Sequence, residues 1–70
     1  MPKYEIRAGD QVFTCPLSAT TESAALDELA AAWQRSFQAG NNKYAVPGSE
    51  PATSIDMTPG QLFFAQRLDI

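Results

Sequence analysis

The sequence predicts an α+β fold in the order ββα(β)β, a small antiparallel sheet covered on one face by a single long helix. Three features predict it. Apolar residues alternate over 3–8 and 11–15 across a Gly-Asp turn, repeat at helical spacing over 20–40, and alternate again over 61–68.

In the first segment Tyr4, Ile6 and Ala8 fall on one side and Lys3, Glu5 and Arg7 on the other, the pattern of a half-buried strand. Gly9-Asp10 suits a two-residue hairpin loop, with glycine supplying the unusual φ. Such a loop fixes register by arithmetic: Ala8 faces Gln11, Ile6 faces Phe13 and Tyr4 faces Cys15. Tyr4, Ile6, Phe13 and Cys15 then share the face that meets the helix. Arg7 with Val12, and Glu5 with Thr14, share the outer face. Pro16 ends the second strand, and Leu17 is placed to pack on the first helical turn.

The helix is read from Leu26, Leu29, Ala30, Trp33 and Phe37, spaced i, i+3, i+4, i+7, i+11. Alanine, leucine, glutamate and glutamine dominate it, and each loses little side-chain entropy in a helix. Thr20 or Thr21 supplies an N-cap oxygen, Glu22 suits the positive end of the dipole, and Gly40 provides a stop. Leu26, Leu29, Trp33 and Phe37 are the expected core face. Asp27, Glu28, Gln34, Arg35 and Gln38 are expected in water. Ala24, Ala25, Ala31 and Ala32 lie between, suited to close packing on a sheet or to a seam for a partner.

Beyond the helix, 43–46 reads as a short strand and 47–54 as an exposed loop without an apolar anchor. The segment from Thr58 has two readings. Thr58-Pro59-Gly60-Gln61 fits a type II turn joining strands 54–57 and 61–68 into a second hairpin, or the start of a helix with Thr58 as N-cap. Paired aromatics and Gly60 favour the strand. Its expected core side carries Leu62, Phe64, Leu68 and Ile70, leaving Phe63, Ala65, Arg67 and Asp69 on the other.

Seventy residues predict one domain, 1–70, with a thin core. The chain has no histidine and one cysteine. Imidazole bases, Ser-His and Cys-His pairs, an intrachain disulfide and a Cys-only metal cage are therefore excluded. Cys15, on the core face, is expected to be a buried structural thiol. Asp27 and Glu28 diverge by about 100° on a helix and make no dyad. No catalytic residue, metal or cofactor is expected. The net charge of −3, with Lys3, Arg7, Arg35, Lys43 and Arg67 scattered singly, argues against nucleic-acid binding. No run is apolar enough for a membrane span, and the lone cysteine suits a cytoplasmic setting.

The expected function is therefore carried by surface. The sequence points to a non-enzymatic protein-binding module, an inhibitor or adaptor that occludes part of a larger partner. The profile is that of small acidic phage proteins that block host enzymes. A structural homo-oligomer, such as a homodimer, and a small carboxylate-based enzyme or ligand carrier are the alternatives. Candidate contact residues are Asp27, Glu28, Ala31, Gln34 and Arg35 on the wet helix face, Tyr44 in the 41–50 loop, and Val12 with Phe63 on the outer sheet face.

Overall fold

A computed structural model describes residues 1–68. The chain runs β1 (Lys3–Ala8), β2 (Gln11–Pro16), α1 (Glu22–Gln38), β3 (Lys43–Ala45), β4 (Ser54–Asp56) and β5 (Phe63–Arg67). β1 is the centre of a three-stranded antiparallel sheet in the order β2-β1-β5, while β3 and β4 form a separate antiparallel pair. The α+β fold and the ββα order are those the sequence predicts.

The first hairpin has the register set by its two-residue loop: Ala8 pairs with Gln11, Ile6 with Phe13 and Tyr4 with Cys15. Gly9 sits at φ 61°, the left-handed value that the first position of this loop demands. Tyr4, Ile6, Phe13 and Cys15 are all buried. The Tyr4 hydroxyl donates to the Ala19 carbonyl at 2.7 Å, which ties the central strand to the residues entering α1.

α1 is capped by Thr21, whose hydroxyl accepts from the Ala24 N–H at 3.2 Å. The helix is rolled relative to the expected stripe. Its buried residues are Ala25, Leu29 and Trp33. Leu26 is half-buried and Phe37 exposed. At about 100° per residue, these two lie about 60° and 80° round the axis from Leu29, on the same side. The roll follows from side-chain size. Ala25, which the sequence reading left on the flank, faces inward because a lone methyl lets the backbone approach the sheet. Phe37 then covers the indole from outside, its ring stacked on Trp33 at 5.6 Å between centroids.

The last strand departs most from expectation. The Thr58–Gln61 turn forms, with Gly60 at φ 78° and the Gln61 N–H donating to the Thr58 carbonyl at 3.1 Å. The segment after it is strand, not helix. Yet it does not make a hairpin. β4 pairs with β3, placing Ile55 opposite Tyr44, and β5 pairs with β1, placing Ala65 opposite Ile6 and Phe64 opposite Arg7. The inward side of β5 is Phe63, Ala65 and Arg67. Leu62, Phe64 and Leu68, expected in the core, are exposed, at 70%, 61% and 45% of their surface. Ile70 and Asp69 lie outside the described residues. The core gains instead Ala8, Ala25, Val46 and Ile55, all buried.

The loop over 47–54 lies against the free edge of β2. Thr14 and Glu50 exchange both backbone hydrogen bonds, at 2.9 and 2.8 Å. The exposed edge of β5 is blunted at one end, where the Glu22 carboxylate accepts from the Arg67 N–H at 3.0 Å. The Arg67 guanidinium also donates to the Thr20 carbonyl. Among the described residues, no helix is long and apolar enough to cross a membrane.

Candidate functional site

A sheet with one helical layer has one bare face. Here that face is built by the side chains of β2, β1 and β5 that point away from α1. Cross-strand pairing arranges them in rows. Val12, Arg7 and Phe64 form one row, and Thr14, Glu5 and Gln66 the next. Lys3 lies beside Leu68, whose N–H donates to the Lys3 carbonyl at 2.9 Å. The central strand thus presents cation, anion, cation down the middle of the face. Apolar side chains flank Arg7 on both sides, and Val12 is 47% exposed. A shallow concavity of ≈ 360 Å³ opens between Glu5, Arg7, Phe64 and Gln66 over the Ala65 backbone.

A second concavity, of ≈ 250 Å³, lies on the other side of the molecule, between α1, the segment entering it, and the end of β3. Leu17, Leu29, Ala32 and Val46 line it, together with Met1, Pro16 and Pro47. Its polar lining is Glu28, Arg35 and Tyr44. Glu28 and Arg35 are seven residues apart on the helix, so they mark its two ends on one helical face, about 10 Å apart along the axis.

The chemistry of the two ends differs. Both Glu28 oxygens are engaged. The Ser18 N–H and hydroxyl donate to them at 3.1 and 2.6 Å, and the Ala19 N–H at 3.0 Å. These bonds, the Ser18 hydroxyl's first among them, hold the Glu28 carboxyl below its ordinary range against a smaller opposing effect of burial. Arg35 and the Tyr44 hydroxyl have no hydrogen-bond or ion-pair partner among the described residues. Burial, and then the charges of Cys15 and Glu28, push the Tyr44 hydroxyl up, with Arg35 acting the other way. The nearby Cys15 thiol is buried and pushed up by that burial and by Glu28, so it is a weak nucleophile.

The eight residues singled out from the sequence separate in the structure. Glu28, Arg35 and Tyr44 come together around the cleft. Asp27, Ala31 and Gln34 are exposed on α1 and line no concavity described here. Val12 lies on the bare sheet face, as expected. Phe63 does not. It turns inward, its ring edge-on to Trp33 at 6.3 Å between centroids, and Phe64 takes its place outside. The sequence reading missed Phe64 and Leu68 as surface residues because it placed them in the core.

Among the described residues the remaining acids do not gather in one place. Asp56 pairs with Lys43 at 3.7 Å, both side chains well exposed. It also lines, with Asp10, a shallow depression beside the first turn. Among the described residues no three His, Cys, Asp or Glu side chains are placed to hold a metal ion. No family model, curated protein or solved structure matches this chain.

Proposed function

We propose that this chain is a small protein-binding module that acts without turnover, as an inhibitor or adaptor, by laying its bare sheet face on a larger partner. One observation carries the reading. Val12, Phe64, Leu62 and Leu68 are exposed around a sheet face that no second layer of the described residues covers. Apolar side chains concentrated on one face of so small a domain mark a contact surface rather than scattered surface residues. The partner's complementary patch carries an acidic group between apolar ones, to meet Arg7 between Val12 and Phe64.

The same face bears on self-association. Stacking two copies so that Leu68 of each covers Phe64 of the other brings Lys3 over Arg7 and Glu5 over Glu5. Like charges then oppose at every level of the central strand, which favours a foreign partner over a second copy. The test uses immobilised wild-type protein beside Phe64→Ser and Arg7→Glu variants, against a lysate of the source organism. A partner held by the wild type and released by both variants, at unchanged Trp33 emission, supports the reading. A partner held equally by all three, or a stable dimer in sedimentation at high micromolar concentration, sinks it.

A further inference from the structure

We propose that the cleft between α1 and Tyr44 binds a small apolar monocarboxylate, with the Arg35 guanidinium and the Tyr44 hydroxyl holding its carboxylate. This site is separate from the bare sheet face and does not depend on it.

Leu17, Leu29, Ala32 and Val46 give the cleft an apolar wall, and the acid at one end already has three donors. The Arg35 guanidinium and the Tyr44 phenol, which also line it, have no hydrogen-bond or ion-pair partner among the described residues. Arginine presents a planar fork of donors that matches a carboxylate two-to-two, and a tyrosine hydroxyl can add a third. A neutral ligand would leave that fork unmatched, and a cation would meet it with repulsion.

Size narrows the ligand further. An engineered apolar cavity of about 150 Å³ takes benzene, and drug-sized ligands need about 300–1,000 Å³. A cleft of ≈ 250 Å³ therefore suits one ring, or a chain of comparable bulk, with a short acidic arm. Glu28 does not prevent this. Its charge is held by the three donors of Ser18 and Ala19, and its backbone position lies about 10 Å along the helix axis from that of Arg35. It still pushes the Tyr44 hydroxyl up, so Arg35 is the group that supplies the attraction for an anion.

The experiment is an amide-detected NMR titration with phenylacetate and, separately, with uncharged phenylacetamide. Phenylacetate should give saturable shifts at Ala32, Arg35, Tyr44 and Val46, half-saturating at or below about 1 mM. The amide should bind at least tenfold more weakly. Arg35→Gln, at an exposed position without a partner, should keep the wild-type Trp33 emission and lose about tenfold in affinity. Tyr44→Phe should lose a smaller factor. Equal binding of acid and amide, wild-type affinity in Arg35→Gln, shifts that do not saturate, or shifts centred on Arg7 and Phe64 would each overturn the assignment.

Discussion

Phe63 and Phe64 are neighbours in sequence and opposites in structure, and replacing each by alanine measures how β5 is set. Phe63 is half-buried, pairs edge-on with Trp33, and lies opposite Ala8 of the central strand. Truncating a fully buried phenylalanine costs about 3–5 kcal/mol. Roughly half of that, plus about 0.5–1.5 kcal/mol for the lost aromatic pair, gives about 2–4 kcal/mol for Phe63→Ala. Phe64 already shows 61% of its surface to water, so Phe64→Ala should cost less than about 1 kcal/mol. A chain of this length has a total stability of about 4–10 kcal/mol. Phe63→Ala should therefore remove a large part of it and lower the melting temperature by about 10–30 °C. Urea titration followed by Trp33 emission reads both variants, and a changed midpoint at constant slope isolates stability. If Phe64→Ala proves as costly as Phe63→Ala or more so, β5 is set one residue out of the register described here. Phe64 then turns toward α1 and the bare face loses its apolar side chains, because a one-residue slip exchanges every side chain of a strand between faces.

Three further outcomes follow from particular contacts. Glu28 has a lowered pKa, so its contribution is present above the ordinary value of 4.5 and is lost as pH falls through the lower folded-state value. The urea midpoint should decline over that acid range, and Glu28→Gln should flatten the decline. Cys15 and Tyr44 are shifted upward from 9.0 and 10.0, so their neutral forms favour the fold and stability should fall as pH rises past about 9, with Cys15→Ala removing the earlier part of the loss. Gly48 has φ 69°, and a Cβ there would lie 3.0 Å from Pro16 Cδ, so Gly48→Ala should lower stability by at least about 1–2 kcal/mol in the same titration.

How much of this was legible in the sequence depended on whether a local rule fixed the geometry. The first hairpin was legible to the residue, because a two-residue loop permits one register and Gly9 supplies the φ that it needs. The helix was legible as an element, but its roll was not. The apolar stripe over Leu26, Leu29, Trp33 and Phe37 weighs large side chains. The packed stripe over Ala25, Leu29 and Trp33 is set by how near the backbone can come to the sheet. β5 had no comparable rule. It pairs with a strand far away in sequence, so the Thr58–Gln61 turn says nothing about its register, and two adjacent phenylalanines satisfy alternation in either phase.

A polar residue in the same stretch nevertheless distinguishes the two phases. The phase that buries Leu62, Phe64 and Leu68 also buries Gln66, pairing it with the middle of β1 beneath the helix, where its amide would have to find partners among apolar side chains. An unpaired buried amide costs about 1–3 kcal/mol on protein-based scales. The phase adopted instead puts Ala65 at that central position and sends Arg67 to the end of the strand, where the guanidinium reaches the Thr20 carbonyl and the N–H reaches Glu22. Exposing Leu62, Phe64 and Leu68 is the consequence, and that exposure costs less wherever apolar surface of another molecule covers them. The bare face is thus tied to the placement of a glutamine and an arginine, and not to a shortage of apolar residues. The cleft is different in kind. Glu28 and Arg35 owe their alignment to helical spacing alone, but the wall that encloses them exists only because β4 pairs with β3 and holds Tyr44 and Val46 against α1. A long-range pairing of that sort leaves no mark on the helix sequence, so the polar ends of the site could be named from the chain while the cavity between them could not.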